Sequence, residues 1–251
     1  MILLPQNNEI KFIAHRGLSA EAPENTLPAY KKAVNKGFQF VECDITLTAD
    51  RQWILLHDET VNRTTDGRGK ANRFTLSKIK NLDAGRWKDE KYIETRIPTL
   101  KEFLLFCKQK NISPYIEIKE KYSNIKTEDL LNIINICRKI SIKKEVSIIS
   151  FDFAILKKIR NLDHQIRLGF LCHLRKKHIA KVHTINNIFL NVHYRSTDLS
   201  LLNNAYSRGL NVECWTVNHI SILKKMIKRG ITGITTDTEK ILNYNHQILG
   251  H

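Results

Sequence analysis

The chain has 251 residues, 42% hydrophobic and 26% charged, with 41 Lys and Arg against 25 Asp and Glu and a formal net charge of +16. That length carries a sizeable core and suits an α/β barrel, while no apolar run approaches the length needed to span a bilayer. The positive excess favours anionic partners, yet the cations are spread along the sequence and cluster only at Lys143-Lys144, Arg175-Lys176-Lys177 and Lys224 to Arg229, the pattern of solvated helix faces.

The N-terminal MILLPQNNEIKF lacks the basic region of a signal peptide, so none is expected. Cys43, Cys107, Cys137, Cys172 and Cys214 are odd in number, stand in apolar contexts and form no C-x-x-C pair, as buried thiols of a cytoplasmic protein would. Phe12-Ile13-Ala14 reads as a first strand ending in His15-Arg16-Gly17, and Asn25 as the cap of a helix that runs through Ala29, Tyr30 and Ala33 to a stop at Gly37. Phe40 to Leu47 is a second strand. The turn Ala49-Asp50-Arg51 is too short for a parallel crossover, so WILLH returns antiparallel as the second arm of a hairpin. Folded about a centre between Asp50 and Arg51, the hairpin lays His57 across from Asp44.

Residues 58–98 are a polar excursion with turn signals at Gly67-Arg68-Gly69 and Asp83-Ala84-Gly85 and a short helix near Ser77 to Asn81. Its Phe74, Leu76, Ile79, Leu82 and Trp87 are expected to pack it down. A helix from Thr99 restores the rhythm, followed by strand Tyr115 to Lys119. Helix Glu128 to Lys139 then leads to strand Val146 to Ser150, helix Phe153 to Asn161 to strand Arg167 to Leu171, and helix Leu174 to Val182 to strand Ile188 to His193. Helix Leu199 to Arg208 leads to strand Val212 to Val217, and helix Ile220 to Lys228 to strand Gly233 to Thr236. Eight main strands alternating with helices predict an α/β fold, a (β/α)8 TIM barrel spanning 1–251 as one domain, with 58–98 inserted after the hairpin.

Chemistry in such a barrel gathers at the C-terminal ends of strands, where His15, Arg16, Glu42, Asp44, Glu117 and Lys119 fall. Glu42 and Asp44, spaced i, i+2 on a strand, point to one face, as do Glu117 and Lys119. Three carboxylates converging on one mouth require a cation, and hard oxygen donors select Mg2+ or Ca2+ over Zn2+. Taken alone, Glu117 and Lys119 are equally well read as a structural ion pair. His15 and His57 suit general acid and base work, either one in either role. His193, also at a strand end, reads as a hydrogen-bonded core residue. Arg16 offers a planar fork and Lys119 a point charge to phosphate oxygens, which favours a phosphoryl substrate. Gly67-Arg68-Gly69 is not a nucleotide loop.

Together, His15-Arg16-Gly17, Ala22-Pro23-Glu24-Asn25-Thr26, Glu42-x-Asp44, His57-Asp58, Ile97-Pro98-Thr99-Leu100, Glu117-x-Lys119 and Cys214-Trp215-Thr216-Val217-Asn218 resemble the glycerophosphodiester phosphodiesterase family, in family order over nearly the whole chain. The resemblance implies a TIM-barrel hydrolase that releases sn-glycerol 3-phosphate and an alcohol, with His15 and His57 as the acid/base pair. It implies that Glu42, Asp44 and Glu117 hold a divalent cation, Mg2+ ahead of Ca2+, that Arg16 and Lys119 bind phosphate, and that Trp215 belongs to the substrate pocket. A related reading is a lysophospholipase D-type phosphodiesterase whose acyl groove draws on Phe74, Trp87, Phe151 and Trp215, residues equally suited to the core. That reading leaves peripheral membrane contact open. From another class, a basic nucleic-acid-binding module would account for +16 but not for the acidic cluster.

Overall fold

In the computed structural model, which describes residues 10–142 and 146–242, eight parallel strands close on themselves. They are β1 (Lys11–Ala14), β2 (Phe40–Leu47), β4 (Ser113–Ile118), β5 (Ser147–Ser150), β6 (Arg167–Cys172), β7 (Ile188–His193), β8 (Val212–Trp215) and β9 (Gly233–Thr236). Closure comes through β1, which pairs in parallel with both β2 and β9. Helices α1 (Leu27–Asn35), α3 (Leu100–Lys110), α4 (Thr127–Ile140), α5 (Phe153–Leu162), α6 (Lys176–Val182), α7 (Leu199–Tyr206) and α8 (Ile220–Lys228) alternate with these strands. The chain is therefore a TIM barrel, as expected. The N-terminal MILLPQNNE and the Lys143-Lys144 cluster lie outside the described residues.

Period-two alternation divides each strand between two environments. Val41 and Cys43 of β2 and Ile116 and Ile118 of β4 pack outward into the large core shared with the helices. Inside the barrel, Ile13, Tyr115, Ile149, Leu171 and Phe189 fill the middle, so the interior is a packed core with chemistry at one rim. Burying each such side chain contributes roughly 1.5–3 kcal/mol.

The hairpin exists, with a register one residue tighter than expected. Ile45 pairs with Leu55, Thr46 with Ile54 and Leu47 with Trp53, so the turn centres on Asp50, and β3 (Trp53–Leu55) stops before reaching Asp44. Across from Asp44 stands Leu56, whose N–H donates to the Asp44 carbonyl at 3.1 Å. His57 lies past the end of the ladder and faces the mouth. The tighter centre follows from Thr48, whose hydroxyl accepts from the Gln52 N–H at 2.9 Å and donates to Asp50 at 2.6 Å, with Arg51 left-handed at φ 54°.

Other boundaries shift for local reasons. Helix α1 is entered from Thr26 rather than Asn25, because the Asn25 side chain is spent on Asp44. Helix α6 begins at Lys176 rather than Leu174, whose N–H is taken by Ser196 Oγ at 3.0 Å. In residues 58–98 the short helix α2 covers Leu76–Ile79, and Phe74, Leu76, Ile79 and Leu82 join a second apolar cluster with Ile54, Leu56, Val61 and Ile97. Trp87 departs from expectation and is 39% exposed.

Candidate active site

The register of β2 against β4 sets Asp44 directly beside Glu117 and Glu42 beside Tyr115, all facing inward. Carboxylate oxygens of Glu42, Asp44 and Glu117 lie within 4.8 Å of one another, and all three residues are buried. Like charges so placed repel. Burial, then the Asp44 charge, pushes the Glu42 carboxyl up to about 8 and the Glu117 carboxyl up to about 7. Asp44 goes the other way: burial opposes its ionisation, but Arg16 and Lys119 outweigh it and hold its carboxyl below the usual range.

Asp44 is clamped by Asn25, whose Nδ2 donates to Asp44 Oδ2 at 2.8 Å and whose Oδ1 accepts from the Asp44 N–H at 3.1 Å. Tyr30 in turn donates to Asn25 Oδ1 at 3.1 Å. Asn25 is left-handed at φ 56° and so is Arg16 at φ 57°, conformations that cost non-glycine residues free energy and recur at functional sites. The Arg16 twist aims its own N–H at Glu42 Oε2, 2.9 Å away. Gly17, at φ 79°, permits this turn to lie on α1, because a Cβ there would stand 2.7 Å from Ala29.

His15 and His57 both face the mouth, and each has Nδ1 on a carboxylate, His15 on Asp237 at 2.7 Å and His57 on Asp58 at 2.6 Å. Nδ1–H donating to a carboxylate leaves Nε2 as the working nitrogen. For His15, burial is outweighed by the Asp237 hydrogen bond and the Glu42 charge, and its pKa rises. For His57, burial prevails over the attraction of Asp44, and its pKa falls. Asp237 is held by Ser19 Oγ at 3.0 Å and Asn218 Nδ2 at 2.6 Å.

The two cations are less free than their types alone suggest. Lys119 Nζ donates to Glu117 Oε1 at 2.8 Å and lies 3.7 Å from Asp44 Oδ1, so the ion pair and the acidic cluster coexist. Arg16 Nε pairs with Asp44 Oδ2 at 3.0 Å, and Nη1 donates to Glu24 at 2.9 Å. Glu24 also binds Arg63, which binds Asp58 and so reaches His57. The sequence reading gives Glu24, Asp58, Arg63, Asn218 and Asp237 no role in the site, although Glu24, Asp58 and Asn218 stand in its motifs, and it reads Asn25 only as a helix cap. Asp237 carried a usable signal, since it follows β9 directly, as His15 follows β1.

These groups open on a cavity of about 240 Å³ whose other wall is Ile149, Phe151, Leu171, Asn191, Trp215 and Thr216. The Phe151 and Trp215 rings meet edge to face at 5.5 Å, and Phe74 is in the apolar cluster of the insertion instead. His193 is not a core residue: it is the last residue of β7, half-buried at the rim, with its ring 5.0 Å from Trp215 and 5.1 Å from His173.

The model of the glycerophosphoryl diester phosphodiesterase family matches residues 15–240. A glycerophosphodiester phosphodiesterase of Caldanaerobacter subterraneus is 34% identical over 239 residues, covering 92% of this chain and 95% of that one. Another from Bacillus subtilis is 29% identical over 248 residues, covering 92% and 84%. The solved structure of an Oleispira antarctica phosphodiesterase in complex with the product sn-glycerol-3-phosphate superposes with a TM-score of 0.88 at 27% identity, over 96% of each chain.

Proposed function

The chain belongs to the glycerophosphoryl diester phosphodiesterase family, and from that premise we propose that its barrel mouth hydrolyses glycerophosphodiesters to sn-glycerol 3-phosphate and an alcohol, with a divalent cation and two histidines. The observation that carries the reading is the convergence of two anchored histidines, Arg16, Lys119 and the Glu42 and Glu117 carboxylates on one cavity, with buried Asp44 within 4.8 Å of both acids. The product bound to the Oleispira relative supports the substrate class.

The carboxylates fit a hard cation. Glu42 Oε1 and Asp44 Oδ1 are buried without a hydrogen-bonding partner, and every donor is oxygen. Glu42, Asp44 and Glu117 would hold the ion, Mg2+ ahead of Ca2+, and when bound it supplies positive charge to the phosphoryl oxygens. Lys119 and the part of Arg16 tied to neither Glu24 nor Asp44 would meet the same oxygens. His57, with its lowered pKa, takes the proton of the attacking hydroxyl at Nε2; water's attack gives sn-glycerol 3-phosphate directly, whereas attack by the substrate's own hydroxyl gives a cyclic phosphate that water opens in a second displacement. His15, with its raised pKa, delivers a proton from Nε2 to the departing alkoxide, and exchange with solvent resets both rings. Asp58 and Asp237 hold the tautomers, and Trp215 and Phe151 border the substrate.

We read residues 1–251 as one domain with 58–98 as its insertion, working in the cytoplasm, which suits five buried free thiols. No helix among the described residues is long and apolar enough to cross a membrane. Incubating the purified protein with a panel of glycerophosphodiesters, with and without EDTA, tests the reading. Release of sn-glycerol 3-phosphate should stop in chelator and return with Mg2+; undiminished release in EDTA would remove the ion, and release of no glycerol phosphate from any diester would remove the substrate class.

A further inference from the structure

Because the eight barrel strands are parallel, every loop that leaves a strand, and the first turn of each helix after it, lies on the mouth face. Phe151 follows β5, Leu199 opens α7 and Ile220 opens α8, and their side chains are 48%, 41% and 39% exposed. Trp87, 39% exposed, lies in the insertion next to Lys88, which donates to Ser19 O in the loop after β1 at 2.9 Å. Among the described residues the other exposed large hydrophobics are Ile93, also in the insertion, and Leu105 on the outer face of α3. Exposed apolar side chains are thus concentrated on the face that opens to substrate.

On the same face the loops after β6 and β7 carry positive charge. Arg175, Lys176 and Lys177 follow β6, and Arg195 follows β7 with its guanidinium 5.6 Å from the Tyr194 ring; all four are exposed. Against them in these two loops stands one carboxylate, Asp198, which is spent capping α7 through the N–H groups of Ser200 and Leu201. Aromatic contacts from Phe151 through Trp215 and His193 to the exposed His173 join the apolar side of the rim to this basic side.

We propose that the mouth face seats the protein on an anionic lipid bilayer, with Phe151, Leu199 and Ile220 entering the headgroup boundary and Arg175, Lys176, Lys177 and Arg195 meeting lipid phosphates. Apolar side chains interleaved with cations match a bilayer, in which both find partners. A nucleic acid would use the cations and leave the aliphatic residues in water. The inference stands on exposure and charge and goes beyond the hydrolytic reading, since it assigns the protein a surface to work on.

Cosedimentation with vesicles tests it on the full chain. The protein should pellet with mixed phosphatidylcholine and phosphatidylglycerol vesicles and stay in the supernatant with phosphatidylcholine alone. Leu199→Ser with Ile220→Ser should lower the partition at least ~10-fold, as burial of two aliphatic side chains implies, and Lys176→Glu with Lys177→Glu should lower it by a similar factor. Leu105→Ser should bind as the unaltered chain does. All three variants should keep kcat/KM on a water-soluble glycerophosphodiester, which separates a failure of docking from a failure of the hydrolytic reading. Absence of pelleting with the mixed vesicles overturns the proposal. So does equal loss on Leu105→Ser, or binding that survives Leu199→Ser with Ile220→Ser and responds only to salt, the behaviour a nucleic acid would share.

Discussion

The barrel buries acidic groups at both ends, and the two ends treat them differently. At the end where the strands begin, Glu213 Oε1 accepts from Arg167 Nη2 at 2.7 Å and from the Tyr115 hydroxyl at 3.1 Å, while Arg167 Nη1 reaches the Tyr115 oxygen and Ser147 Oγ. Gly233 leaves the room this arrangement needs, since a Cβ there would stand 2.7 Å from the Glu213 side chain. One carboxylate meets one guanidinium, which stacks over Phe189 at 3.8 Å. At the mouth, three carboxylates share Arg16 and Lys119, so one negative charge is left over and two of the acids are pushed toward neutrality. A balanced buried pair holds the fold, whereas an unbalanced one stores demand for a ligand.

The sharpest separation of the two ends is catalytic. His15→Ala or His57→Ala should each lower kcat by ~10²–10⁴-fold, and the double variant should lose far less than the product because the two rings act on one phosphorus. Steady-state kinetics on a glycerophosphodiester reads this out, and either single variant retaining near-normal kcat would remove that histidine from the mechanism. At the other end, Arg167→Ala should cost roughly 3–5 kcal/mol of stability by stranding the buried Glu213. In denaturant titration the midpoint should drop, while kcat of the protein still folded stays within a factor of about two. An equal loss of kcat would show that the two ends are coupled.

A smaller effect tests the anchors. Asp237→Asn keeps the shape of the group but loses its charge and one acceptor, so His15 should lose its fixed tautomer and kcat should fall by roughly 10-fold. KM should hardly move, and the loss should shrink with an acidic leaving alcohol that needs no proton. A loss independent of the leaving group would place Asp237 in structure rather than in positioning His15.

What the sequence made legible follows its periodicities. Spacing i, i+2 put Glu42, Asp44, Glu117 and Lys119 on inward faces, and strand ends marked His15 and Arg16, because both rules depend on backbone geometry alone. The hairpin was legible as a hairpin, but its register turned on the Thr48 hydroxyl, a side-chain contact that no periodicity encodes. His57 therefore reaches the mouth from past the ladder rather than along it. Asn25 shows the same limit, since an N-cap residue and a clamp on Asp44 have identical chemistry in the sequence and differ only in what the fold brings within reach. Likewise Asp237 finds His15 across nearly the whole chain, a pairing that only closure of the barrel through β1 and β9 creates.

The last prediction concerns how pH acts on the mouth. Unfolded carboxyls titrate near 4.3, whereas folded Glu42 does so at about 8 and Glu117 at about 7. Between these values the native chain holds protons that the unfolded chain has released, so stability falls as pH rises; it is fully present below the unfolded value and lost through the folded one. His15, raised, adds to this trend, and His57, lowered, opposes it. In EDTA, Tm should therefore decline between about pH 6 and pH 8.5, by at least ~3 °C for a chain of this size. Mg2+ requires the ionised acids, so its binding releases protons and stabilises most at high pH, flattening or reversing the decline. Glu42→Gln with Glu117→Gln should remove both the decline and the response to Mg2+. If that variant keeps the slope in EDTA, the pH dependence originates elsewhere, and the contrast between a balanced and an unbalanced end would not govern this protein's stability.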